Sequence, residues 1–142
     1  MTLPNQKMRE AVLVSLFASL HGGTIDALDL ISEQLKISKK YATIAVEKAR
    51  LVSQHLEAID SSIEKHAIDY TLARIPQMEK TILRLAVYEL VYDDTVPESV
   101  AIAEAVRLAA KFSTKEASRF VNAVVDAIRK ELTEALTKSA AS

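Results

Sequence analysis

The sequence predicts an all-α fold, and three observations carry that reading. Two glycines and three prolines in 142 residues leave few interruptions, which favours long helices joined by short connections. Apolar residues return at three- and four-residue steps along most of the chain, the spacing of a one-sided helix. Pro76, Pro97 and Ser113 each stand just before such a block, where helix starts are expected. The length suits a single domain, 1–142, with its core over about residues 6–130 and a polar tail over about 131–142.

Taken in order, the first helix is expected from about Gln6 to Leu20. Met8, Val12, Ser15, Leu16 and Ser19 form its buried stripe, and Gly22-Gly23 stop it. Thr24 is a plausible cap for a second helix, with Asp26 and Asp29 at its positive end. Ile25, Leu28, Ile31 and Leu35 share its apolar face. Ser38 is expected to cap a third. With no Gly or Pro before Pro76, the sequence favours one long helix over two, a break near Asp60-Ser61-Ser62 being the alternative. Tyr41, Ile44, Lys48, Leu51, His55, Ile59, Ile63, His66 and Tyr70 would form its inner stripe.

Pro76 suits the first position of a fourth helix, with Ile82, Leu83, Leu85, Ala86 and Leu90 as its core. Asp93-Asp94-Thr95 reads as a turn. Pro97 opens a fifth helix to about Phe112. Ser113-Thr114-Lys115-Glu116 has the form of a capping box, Ser113 at the cap and Glu116 three residues on. The sixth helix then buries Ala117, Phe120, Val121, Val124, Val125 and Ile128, and its polar end is expected to fray after Leu136.

Composition narrows the function classes. Nearly half the residues, 49%, are apolar, but no apolar run reaches the roughly 18 residues of a membrane span. The N-terminus has none of the marks of a signal peptide. Without cysteine there is no disulfide, thiolate metal site or thiol nucleophile. These features predict a cytoplasmic protein. A formal net charge of −1 gives no overall field to attract nucleic acid, so RNA binding needs a local basic patch or a partner's charge. The apolar content also leaves room for self-association as a homodimer through an exposed patch.

No constellation for catalysis stands out. His55 and His66 share a stripe but lie eleven residues apart, about 16 Å along a helix, too far for one metal. Glu57, Asp60 and Glu64 fit a solvated face better than paired acid and base. Phosphate loops, nucleophile elbows and metalloprotease motifs are absent from the sequence. The expectation is a protein that is not an enzyme and needs no cofactor or metal.

Basic residues give two clusters. Arg107, Lys111, Lys115 and Arg119 recur at four-residue steps, diluted by Glu104, Glu116 and Asp126, and Lys36, Lys39 and Lys40 lie at the start of the third helix. Each can hold phosphates or can be plain solvated surface. Phe120, next to Arg119, can stack on a base or pack in the core. Asn122 can read a base edge or bond a loop carbonyl. Arg84, with Tyr88 four residues on, can form a polar seam for a protein partner or an internal ion pair with Glu89 or Glu104.

The order of residues in the second half is more specific. Ile82 to Leu90 reads I-L-R-L-A-V-Y-E-L, Val96 to Phe112 reads V-P-E-S-V-A-I-A-E-A-V-R-L-A-A-K-F, and Arg119 to Asp126 reads R-F-V-N-A-V-V-D. This set resembles the NusB family of bacterial transcription antitermination factors. The likeness is close from Arg74 to Asp126 and looser from Lys7 to Leu20. Between them Ile59-Asp60 and Ile63 echo a family I-D-x-x-I.

The resemblance implies a bundle of six to seven helices in two packed three-helix halves. It also implies pairing with the ribosomal protein NusE, recognition of single-stranded boxA RNA in ribosomal RNA transcripts, and service to the RNA polymerase antitermination complex. Carried over by residue, Arg9-Glu10 match the end of the family's arginine-rich arm, and Arg119-Phe120-Val121-Asn122 match the segment beside the RNA path. Lys7, Arg9, Lys115, Arg119, Phe120 and Asn122 are then the expected RNA-binding residues. Phe17, Glu79 and Arg84 are the expected partner-binding residues.

The sequence also departs from the family pattern. Asn5-Gln6-Lys7-Met8-Arg9 replaces a run of arginines, Phe17 a tyrosine, Ala103 an asparagine and Ala123 a glycine. Fewer phosphate contacts imply weaker, less salt-sensitive RNA binding. Two other readings therefore stand beside antitermination. One is a protein-only helical adaptor with weakened or lost RNA binding. The other is a stand-alone domain of the kind that accompanies ribosomal RNA methyltransferases.

Overall fold

The structure is a computed structural model that describes residues 5–21, 27–68 and 70–141. Among the described residues the chain forms seven α-helices, one 3-10 turn and no strand. The helices are α1 (Asn5–His21), α2 (Ala27–Gln34), α3 (Lys39–Ser53), α4 (Leu56–His66), α5 (Gln77–Tyr92), α6 (Glu98–Phe112) and α7 (Lys115–Ala141), with the 3-10 turn at Leu72–Arg74. The chain divides into two compact units, Met1–Leu56 and Glu57–Ser142. The first holds three helices; the second holds four plus the turn, one more than the expected three.

In the N-terminal unit α1 packs on α3, with α2 against both. Ala11, Val12, Leu13 and Leu16 of α1 are buried, as are Ala42, Ala45, Ala49 and Val52 of α3. The expected α3 stripe was therefore offset by one residue, about 100° around the axis. Ile44 is 47% exposed and Leu51 37%. The reason is close approach: three alanines let α1 lie near the α3 backbone, where larger side chains would hold the helices apart. Ser38 caps α3 as expected, its hydroxyl accepting from the Tyr41 N–H at 3.4 Å. The Gly22-Gly23 stop, the Thr24 cap, Ile25 and Asp26 lie outside the described residues.

The helix expected to run unbroken from Ser38 is interrupted, and not at Asp60-Ser61-Ser62. The break falls at Gln54-His55, where the last turn of α3 tightens: the His55 N–H bonds the Val52 carbonyl at 3.0 Å, three residues back. No glycine or proline marks the place, so neither usual breaker was there to reveal it.

In the C-terminal unit α5, α6 and α7 pack pairwise. α5 is the buried member: Thr81, Ile82, Leu83, Leu85, Ala86 and Val87 are all at most 2% exposed. α6 contributes Ala101, Ala105, Leu108 and Ala109, and α7 contributes Ala117, Val121, Val124, Val125 and Ile128. Phe120 and Leu90, expected in the core, are only half-buried. Pro76 occupies the cap of α5, one position earlier than expected. Helix α7 continues to Ala141, past the Leu136 at which fraying was expected.

Side-chain ties hold α4 within this unit. Arg84 Nε and Nη2 donate to Asp60 Oδ1 and Oδ2, both at 2.8 Å, in a two-pronged pair. Both side chains are largely shielded, 11% and 21% exposed. Lys65 Nζ and His66 Nε2 reach the two carboxylate oxygens of Glu131 on α7 at 2.6 and 2.5 Å. Arg84 thus pairs with Asp60, not with Glu89 or Glu104, and Tyr88 sits beside Tyr92 at 5.6 Å between ring centroids.

Removing one member of a shielded, charge-assisted pair strands the other, so Arg84→Ala is expected to lower unfolding free energy by about 2 kcal/mol in denaturant titration. The Glu131 carboxyl is held below the ordinary carboxylate range, first by its Lys65 hydrogen bond and further by His66. Its contribution is therefore present above the unfolded carboxylate value and is lost as pH falls through the lowered one. Thermal melts are expected to show Glu131→Gln less stable than wild type near neutrality, with the gap closing in acid.

Candidate nucleic-acid interface

The start of α7 is set by a hydroxyl cap, though not the expected one. Thr114 Oγ1 accepts from the Ala117 N–H at 2.9 Å, making Thr114 the cap. Ser113 instead ends α6, and its hydroxyl donates to Glu79 Oε1 at 3.2 Å. Burial of Ala117 and Val121 fixes which way the first turns of α7 face. Lys115, Arg119 and Asn122 share one exposed stripe; Phe120, about 100° further round, faces elsewhere.

Arg119 and Asn122 line an open groove with Ser118, facing Ser99, Ile102, Ala103 and Val106 of α6. Ala103, where the family pattern has asparagine, adds only a methyl group to this wall, so the polar chemistry of the groove comes mainly from α7, with the Ser99 hydroxyl from α6. Phe120 lines a second cleft, with Tyr70, Arg74, Glu79, Glu116 and Ala117 among its walls. Its ring meets Tyr70 edge to face, centroids 5.4 Å apart and planes at 69°. The structure therefore separates Phe120 from Arg119 and brings Phe120 and Glu79 into one cleft.

Charge pairing separates the arginines of this unit. Arg84, Arg107 and Arg129 are bonded to Asp60, Glu104 and Asp126. Arg107 holds both Glu104 oxygens, at 2.6 and 3.1 Å, and Lys111 lies 5.7 Å from the centre of the Phe112 ring. Arg74 and Arg119, by contrast, have no ion pair among the described residues, and both are exposed. The expected four-step basic cluster thus splits: Arg107 serves the fold, while Lys115 and Arg119 remain available.

The other expected residues lie on α1. Lys7 is exposed and Arg9 half-buried, about 200° apart around the helix, so they face different directions. Phe17 is half-buried, its ring 4.7 Å from that of His21. Sequence reasoning missed Arg74 and placed Tyr70 on a helical stripe, whereas both wall the cleft around the 3-10 turn. The signal available was Pro76, which holds Ile75 in extended backbone and so ends any helix before it. Arg84 is committed to Asp60 within the fold.

Among the described residues no group of His, Asp and Glu is arranged to hold a metal ion, and no helix is long and apolar enough to cross a membrane. Helices that present unpaired cations, an amide and a half-open aromatic cleft define an all-helical binding protein. The chain belongs to the NusB family, whose model matches residues 6–130. It is 36% identical over 107 residues to the transcription antitermination protein NusB of Lysinibacillus sphaericus, spanning 73% of this chain and 80% of that one. Against the protein of the same name from Acidothermus cellulolyticus the identity is 38% over 103 residues, with 71% and 70% covered.

Solved structures agree. NusB of T. maritima superposes with a TM-score of 0.78 at 31% identity, covering 92% of this chain and 94% of that one. A crystal structure of antitermination factors NusB and NusE in complex with dsRNA gives 0.73 at 28%, covering 89% and 96%.

The cap assignment is open to test. Thr114→Ala is expected to cost about 1 kcal/mol of stability by denaturant titration, and Ser113→Ala clearly less.

Proposed function

We propose that this chain is a transcription antitermination factor that pairs with NusE and binds boxA-type RNA of ribosomal RNA transcripts. In that role it is a cytoplasmic, non-catalytic adaptor: it holds RNA and a ribosomal protein together for the RNA polymerase antitermination complex. The observation that carries this reading is the family match over residues 6–130, with its R-F-V-N segment at the start of α7 and Arg119 free of any ion pair among the described residues. Solved relatives with this fold include one complexed with NusE and RNA.

On this reading Arg119 and Lys115 hold phosphates along the α7 stripe, where a guanidinium needs no carboxylate displaced before it binds. Asn122, three residues on and exposed, can donate and accept at a base or ribose edge. Lys7 and Arg9 add charge from α1. The partner's basic surface supplies the long-range attraction that a net charge of −1 lacks. Phe17 faces the protein partner and Glu79 lies beside it, whereas Arg84 acts only through the fold.

A labelled boxA-type RNA titrated with the chain, alone and with NusE, at two salt concentrations tests the reading. NusE is expected to tighten binding and salt to weaken it. Arg119→Ala should weaken the RNA complex about tenfold, the effect of losing one charge-assisted hydrogen bond, with an unchanged melting temperature. It should also shallow the log–log salt slope by about 0.7. Binding of NusE without RNA would instead identify a protein-only adaptor.

A further inference from the structure

We propose that the cleft between the 3-10 turn and the start of α7 receives one unstacked guanine of the bound RNA, and that Glu79 reads its edge. This rests on the RNA-binding function above and adds a base preference to it. The cleft has a volume of about 300 Å³, the low end of the range for small-ligand sites. Two aromatic rings stand at its mouth. Tyr70 is 51% exposed and meets Phe120 edge on, which leaves a ring face open for a base to stack against.

The polar groups inside decide what kind of ligand fits. Glu79 is half-buried; its Oε1 accepts from Ser113, and its Oε2 has no hydrogen-bond partner among the described residues. Glu116 brings a second carboxylate, against the single guanidinium of Arg74. Two negative groups repel a phosphate and demand hydrogen-bond donors. Among the bases, guanine presents two adjacent donors, the ring N1–H and the 2-amino group. Uracil offers one N–H flanked by two carbonyl oxygens, which a carboxylate repels, and adenine and cytosine set an acceptor nitrogen beside their amino group. Arg74, exposed and without an ion pair among the described residues, is left for the adjoining phosphate.

The separation of Phe120 from Arg119 fits the same picture. The backbone tracks the α7 stripe, and one base turns aside into the cleft, the way single-stranded RNA is read from splayed bases.

The experiment compares a boxA-type RNA containing guanosine with the same RNA carrying inosine, which lacks the 2-amino group. Anisotropy titrations use the chain with NusE present. Wild type is expected to bind the guanosine RNA about tenfold tighter than the inosine RNA. Glu79→Gln should shrink that ratio to about twofold or less, and Phe120→Ala should weaken both RNAs. Binding of both RNAs by wild type with equal affinity overturns this proposal and leaves the RNA-binding function standing. So does a tenfold ratio that survives Glu79→Gln, even where that variant binds NusE less well, since Glu79 then serves the protein partner. Binding of neither RNA overturns the function and this proposal together.

Discussion

The two-pronged pair between Arg84 and Asp60 is the tie on which the C-terminal unit depends. Helix α5 is buried along most of its length by apolar contacts with α6 and α7, and those three form a self-consistent packing. Helix α4 joins them with only Ile59 and Ile63 fully buried, so its position rests heavily on polar ties. Arg84 is placed where water is largely excluded, and there a guanidinium matched to both carboxylate oxygens gives direction that apolar contact lacks. The Lys65 and His66 contacts with Glu131 add a second point, on α7. Two fixed points hold the end of α4, and beyond it Tyr70 stands edge on to Phe120.

A division of labour among charges then links fold to function. Arginines that meet a carboxylate, at positions 84, 107 and 129, hold helices or stiffen their surfaces. Arginines that meet none, at 74 and 119, flank the start of α7. Neither guanidinium is tied up in an ion pair among the described residues, which is what a phosphate-binding surface needs in a chain that is nearly neutral overall. The small residues beside Arg119, Ala103 and Ser118, leave that groove open.

Much of this was legible in the sequence where one residue type dictates local geometry. The prolines at 76 and 97 placed two helix starts to within one residue, and the Ser38 cap was found outright. Motif order supplied the family, which periodicity alone would not have done. Reading failed where choices were nearly degenerate. Ser113 and Thr114 are both capping residues, and only the tertiary bond from Ser113 to Glu79 decides between them. The interior of α3 was mistaken because large apolar side chains suggest burial, while alanines permit closer packing. The break at Gln54-His55 has no breaker residue, and Asp60 as partner of Arg84 lies 24 positions away, beyond any helical spacing. The cleft was invisible for the same reason: its walls come from two stretches of chain, 70–79 and 114–120, far apart in sequence.

Amide chemical-shift mapping would test the central claim most directly, with the isotopically labelled chain bound to NusE and boxA-type RNA added stepwise. The account predicts that the largest RNA-dependent shifts fall on Lys115 to Asn122 and on Tyr70 to Arg74. Shifts confined to the far half of α7, from Lys130 onward, or to the exposed face of α3, would place the RNA elsewhere and contradict it.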